Sequence, residues 1–127
     1  MAAAAIRDAQ GRLLLQQRAA GKAHAGLWEF PGGKVENREN PRNALAREVS
    51  EELALVLETT TMIPAGFAEE AGQSGDPAIV LFLYDCPGWQ GRPDALDGQR
   101  WGWFTPAQAA ALPMPPMDRA LLGSLAR

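Results

Sequence analysis

The stretch that follows Asn40 is the part of the chain most firmly set to form a helix. Asn40 is a strong N-cap residue, and Pro41 suits the first helical position, where its missing N–H is not needed. The pattern predicts a helix from about Pro41 to Ala54. At about 100° per residue, Leu45, Val49, Leu53 and Val56 fall on one stripe that calls for burial. Glu48, Glu51 and Glu52 occupy the adjacent arc, with Glu52 bordering the buried stripe. Glu48 and Glu52 are like charges at i,i+4, which costs roughly a few tenths of a kcal/mol in an isolated helix, and no lysine on that face offsets them. A divalent cation would turn the repulsion into attraction. Magnesium takes oxygen ligands and completes its shell with water and substrate phosphates. Upstream, Pro31-Gly32-Gly33 is expected to form a turn, which without side chains can offer a backbone carbonyl to the same ion. The combination points to phosphate chemistry.

Composition narrows the setting. At 127 residues the chain makes one domain with a single core, and we expect one unit over residues 1–127. The net charge of −3 gives no electrostatic basis for stable nucleic-acid binding. One cysteine, Cys86, excludes an internal disulfide, and with one histidine, His24, it excludes a Cys/His zinc site. Cys86 follows the apolar run from Ala78 and is expected to be a packed thiol; His24, in a loop near the glycines, is expected to be solvated, with contact to substrate the alternative. The start MAAAAIRDAQ lacks a basic region followed by a long apolar run, and no segment reaches the roughly 20 apolar residues of a membrane span. A cytoplasmic monomer is the expectation.

Along the chain, Asp8-Ala9-Gln10-Gly11 reads as the turn of a hairpin between Ala2–Arg7 and Leu13–Arg18. Gly21 to Lys34 should be mostly loop, with Leu27 to Phe30 extended. Strands are expected over Thr61–Ala68, Ala78–Asp85 and Arg100–Phe104. Thr105 and Pro106 should begin a helix that stops at Pro113, and a last helix should run from Pro116 to Ala126. Strands and helices mix without regular alternation, which argues an α+β fold with helices on a mixed sheet.

These residues resemble a known pattern. Gly33, Glu39, Arg47, Glu48, Val49, Glu51, Glu52 and Leu55 match the Nudix box in spacing and identity over 23 residues. The one departure is Ala54, where the family carries glycine. Kept in a left-handed conformation it would cost about 1 kcal/mol, so a slightly extended or shifted helix end is expected. Gln17 to Ala20, LWEFPGGK from Leu27 to Lys34, Asp97-Gly98-Gln99 and Pro115-Pro116 are similar to the MutT branch of that family. The resemblance implies the Nudix α/β/α sandwich and a hydrolase that cleaves nucleoside triphosphates to monophosphate and pyrophosphate. It implies Mg2+, with Mn2+ as a possible substitute, held by the Gly32 carbonyl, Glu48, Glu51 and Glu52. It also implies attack of a metal-activated water on the β-phosphorus. Glu48 is the first candidate for the base and Asp97 the second, Glu51 shares metal or orients water, and Arg47 braces Glu39 or Glu51.

The same resemblance places Arg18, Phe30 and Asp118 at the nucleotide pocket, although Phe30 can equally be core and Asp118 a surface helix-start residue. An ionised aspartate accepts but does not donate, so Asp118 would suit an amino group such as that of cytosine and face O6 of a guanine poorly. Against the family pattern the chain is expected to begin inside its first strand, and Gly72 to Pro77 offers no aromatic to stack on a base. The leading expectation is removal of oxidised nucleotides such as 8-oxo-dGTP from the nucleotide pool, in support of DNA repair. The alternative is hydrolysis of CTP or 5-methyl-dCTP. A dinucleoside polyphosphate hydrolase or a non-catalytic nucleotide-binding module is more remote.

Overall fold

A computed structural model describes residues 1–21, 25–72 and 74–125 of the chain; His24 lies outside the described residues. The elements begin with β1 (Ala2–Ala5), β2 (Leu13–Gln17), β3 (Trp28–Glu29), β4 (Gly32–Gly33) and α1 (Pro41–Leu53). They continue with β5 (Val56–Leu57), a 3-10 turn (Thr59–Thr61), β6 (Ile63–Glu70), β7 (Ile79–Asp85) and β8 (Trp89–Gln90). Strand β9 (Arg100–Phe104) and helices α2 (Pro106–Ala110) and α3 (Pro116–Leu125) close the fold. Strands in the order β4-β1-β7-β6 form a mixed sheet, β1 running parallel to β7 and antiparallel to β4. An antiparallel sheet β3-β2-β9 and the short pair β5-β8 stand beside it.

Strand β1 is four alanines, none more than 1% exposed, although alanine is a poor strand former. Its alternating faces explain the choice. Ala2 and Ala4 pack with Leu45, Val49 and Leu53 of α1, while Ala3 and Ala5 pack with Leu81, Leu83, Leu121 and Leu122. A strand buried on both sides needs apolar residues at every position, and small ones let α1 and α3 approach from opposite faces. The result is the expected α+β architecture, a mixed sheet between helices.

Two expectations about the first half are corrected. The segments flanking the Asp8 turn do not form a hairpin within one sheet. They are joined by the Arg7–Leu13 bridge and a 2.9 Å bond from Leu14 N to Ile6 O, and then diverge. Both edges of β1 are already occupied, by β4 and β7, so β2 must find its partners elsewhere. Pro31-Gly32-Gly33 is not a turn either, because Gly32 and Gly33 form the edge strand β4, in register with Ala3 and Ala2.

Helix α1 starts where expected, the Asn40 side chain accepting from Asn43 N at 2.8 Å. Its end differs: it stops at Leu53, and Ala54 takes the left-handed conformation at φ 59°, neither extending nor shifting the helix. The chain must turn there because Leu55 is fully buried and β5 pairs with β8. Val56 therefore leaves the helical stripe and is 64% exposed. The exposed carbonyls at this terminus are taken up by a later loop: Asp94 N donates to Leu53 O and Leu96 N to Glu52 O, each at 3.0 Å.

Later elements follow the sequence with small shifts. Strand β6 starts after the 3-10 turn and carries a register shift between Pro64 and Gly66. Thr105 and Gln108 form a capping box, but α2 ends at Ala110 rather than Pro113. Arg119 of α3 donates to the carbonyls of Ala110 and Leu112, turning the chain early. Cys86 is 1% exposed, and burial followed by the Asp85 charge pushes its thiol up to about 12, as a packed thiol requires. Among the described residues no helix is long and apolar enough to cross a membrane.

Candidate active site

The carboxylate face of α1 lies against β4. An added Cβ at Gly32, whose φ is 155°, would stand 2.0 Å from the Ala2 carbonyl oxygen. One at Gly33 would stand 2.5 Å from the Glu48 carboxyl carbon. The first glycine is thus required by backbone approach to β1. The second leaves the space that the Glu48 carboxylate fills.

Arg47 organises the outer part of the box. Its guanidinium bonds both Glu39 oxygens, at 2.8 and 2.9 Å, and reaches Glu48 at 3.0 Å and Glu51 at 3.3 Å. It also donates to the Lys34 carbonyl at 3.3 Å. Arg47, with the Glu36 amide, holds the Glu39 carboxyl below the usual range. The bracing expected of Arg47 is present, and it supplies the positive charge that no lysine provides.

Glu52 is the inner member. Burial, opposed by a 3.2 Å bond from Gln16, pushes its carboxyl up to about 7, and the charges of Glu48, Glu29 and Asp97 add to the rise. Glu48, Glu29 and Asp97 thus lie near enough for their charges to act on Glu52, whereas Glu51 meets Arg47 with 60% of its side chain exposed. Among the described residues no three acidic, histidine or cysteine side chains converge tightly enough to enclose a metal by themselves. The set still suits Mg2+, which commonly takes one or two carboxylates and completes its shell with water and phosphate oxygens. All the donors are oxygens, and their crowding is the kind a cation relieves.

In the sequence Glu29 is legible only as part of the LWEFPGGK likeness, with no role of its own. Pairing of β2 with β3 sets Gln16 opposite Glu29, and Arg18 Nε meets Glu29 Oε2 at 3.2 Å. Arg18 and Glu29 line two adjoining spaces. The smaller, about 50 Å³, is also bordered by Gln16, Asp97 and Gln99. The larger, about 360 Å³, is walled by Phe30, Ile79, Leu81, Met117 and Asp118.

Asp118 belongs to this larger pocket rather than to the surface. It lies in the first turn of α3, is 5% exposed, and accepts from Phe30 N at 3.1 Å through Oδ2. Burial pushes its carboxyl up to about 6, the Phe30 amide opposing and the Glu29 charge adding. Phe30, 3% exposed, both packs in the core and lines the pocket. No aromatic from residues 72–77 lines the pocket; Ile79, Leu81 and Met117 give it apolar walls. Sequence reasoning also misses Gln16, a buried glutamine on a strand that otherwise reads as apolar.

Comparison with known proteins bears on this arrangement. The NUDIX domain family matches residues 1–124. The chain is 38% identical to the CTP pyrophosphohydrolase of Escherichia coli over 119 residues, covering 94% of this chain and 85% of that protein. It is 33% identical to the 8-oxo-dGTP diphosphatase of Haemophilus influenzae over 127 residues, covering 98% and 89%. Among solved structures, the E. coli ORF135 protein superposes with a TM-score of 0.84 at 36% identity, covering 98% of this chain and 86% of that one.

Proposed function

The chain belongs to the Nudix family, and from that premise we propose that it is a Mg2+-dependent nucleoside triphosphate pyrophosphohydrolase of the MutT type, releasing monophosphate and pyrophosphate. The observation that carries this reading is a pocket of about 360 Å³ with apolar walls and the buried Asp118, which is bordered by Glu29 and by Gly33, the glycine against which the Glu48 carboxylate rests. One end suits a polyphosphate bound through a cation, the other a base. We assign the Gly32 carbonyl, Glu48, Glu51 and Glu52 to the cation. When bound, Mg2+, or Mn2+ in its place, lowers the pKa of a coordinated water and neutralises charge on the phosphates.

The chain's own residues do the rest. Glu48, seated by the absent Cβ of Gly33 and tethered by Arg47, takes the proton of the attacking water, with Asp97 the second candidate. Glu51 orients water or shares the cation. Arg18 and Lys34, both on the larger pocket, supply positive charge where a triphosphate would leave the base. Phe30 and Asp118 bound the base itself.

The base we assign first is an oxidised guanine, as in 8-oxo-dGTP, from whose added N7–H an aspartate oxygen can accept a hydrogen bond. A second reading, CTP or 5-methyl-dCTP, is favoured by a specific observation. The buried Asp118 has one oxygen committed to Phe30 N, and the other can accept from an exocyclic amino group. Pyrophosphate release with Mg2+ should be measured for 8-oxo-dGTP, dGTP, CTP and 5-methyl-dCTP. Turnover of 8-oxo-dGTP above the others is expected. No turnover of any triphosphate would overturn the function, and a tenfold or greater preference for cytosine nucleotides would replace the first base by the second. Glu48→Gln or Glu51→Gln should remove most activity with circular dichroism unchanged; a near-normal rate would overturn that residue's role.

A further inference from the structure

The loop from Asp94 to Gln99 is docked on the end of α1 by more than its backbone. Asp97 N donates to Gln99 Oε1 at 3.0 Å. Gln99 Nε2 then donates to Gln16 Oε1 at 3.3 Å and to the Glu52 carbonyl at 2.9 Å. Gln16 Nε2 in turn donates to Glu52 Oε2 at 3.2 Å. The chain of amides has a direction. Glu52 Oε2 is the acceptor at one end, so Gln16 turns its nitrogen inward and its oxygen toward Gln99. Gln99 must then present its nitrogen to Gln16 and its oxygen to the Asp97 amide. Gln16 is only 5% exposed, so bulk water cannot readily replace these bonds.

We infer that Gln16 and Gln99 are positioning residues, a polarised pair of side-chain amides that sets the Glu52 carboxylate and the Asp97 loop in one register. The pair reaches the reaction through groups on two separate elements, the last turn of α1 and the loop before β9. It aims the Glu52 oxygen and holds the Asp97 backbone at a fixed offset from it. Carboxylates that must share a cation and a polyphosphate gain affinity when their geometry is set in advance, and removal of such outer partners from metal ligands typically costs about 10- to 100-fold in metal affinity or activity. The inference rests on the assignment of Glu52 to the cation.

The test uses Mn2+ alone as the probe, titrated by electron paramagnetic resonance into the intact chain and into Gln16→Met, Gln99→Met and the double variant. Methionine approximates the shape of glutamine without its polar ends. Each single substitution should weaken Mn2+ binding about tenfold or more. The double variant should be little worse than the weaker single, because each breaks the same chain of bonds. Exchange of the Asp97 amide proton should quicken in both singles, and kcat should fall with KM for the nucleotide within about twofold. Mn2+ affinity within twofold of the unaltered chain in both singles would overturn the proposal, even if their denaturation midpoints fell. So would full additivity of the two losses. If Gln16→Met does not fold, Gln99→Met, at a half-exposed position, decides the matter through the same titration and exchange. Failure of the unaltered chain to bind Mn2+ would overturn this proposal together with the assignment of Glu52, whereas unaltered binding by chain and variants alike would overturn only the positioning role.

Discussion

Ala54 sits at φ 59°, where a β-carbon crowds the backbone and glycine is the usual occupant. Ala54→Gly should therefore raise stability by up to about 1 kcal/mol, partly offset by the greater freedom of glycine in the unfolded chain, with kcat unchanged; urea denaturation and a rate assay check both. Asp118 makes a different single-residue prediction. Its carboxyl lies at about 6 in the fold against an ordinary 3.8, so protonation is favoured by folding. The stability this contributes is complete below about pH 4 and is lost as pH rises through about 6. Asp118→Asn removes the ionisation while keeping an oxygen to accept from Phe30 N. The variant should match the parent near pH 4 and exceed it above pH 6.5 by roughly 3 kcal/mol, read from denaturation midpoints across that range.

The two elements that make the site, β4 and α1, depend on neighbouring glycines for different reasons. At Gly32 an alanine meets fixed backbone at 2.0 Å in a φ that L residues avoid, so Gly32→Ala should lower the melting temperature sharply or prevent folding. At Gly33 the obstacle is the movable end of a side chain, Glu48. Gly33→Ala should fold with a melting temperature near that of the parent and lose at least about tenfold in kcat, because the displaced group is the proposed base. Equal loss of stability in the two variants would show that the second contact is structural. Arg47→Lys belongs to the same scale. A lysine cannot bond Glu39 through two nitrogens while reaching Glu48 and Glu51, so kcat should fall while the helix persists in circular dichroism.

Across the whole molecule, strand β1 inside the mixed sheet is buried on both faces, and the protection of the core beside it can be read at Cys86. The thiol should react with an aromatic disulfide reagent only as fast as the fold opens, and the rate should rise with urea in step with unfolding. Fast modification of the native chain would mean that the core beneath α1 is looser than its packing indicates. How much of the fold is legible in the sequence follows from the range of the forces involved. The start of α1, the Thr105 cap, strand β9 and the Arg47 brace are legible because each rests on contacts a few residues apart or on a motif of fixed spacing. The hairpin expected at Asp8 and the turn expected at Gly32 fail because strands β4 and β7 claim both edges of β1 from distant parts of the chain. The expected helix end fails for the same reason, since the true end is set by the burial of Leu55 and by the loop from Asp94. Residue order alone was enough to specify the family, the carboxylate set on α1 and the phosphate chemistry that follows from them. It took the folded chain to bring the charges of Glu29 and Asp97 to bear on Glu52 beside Glu48, to bury Asp118 in the wall of the larger pocket proposed for the base, and to tie loop to helix through two glutamines. Those groups are far apart along the chain, and only the packing of β2, β3 and α3 against the sheet and α1 brings them within reach of one another.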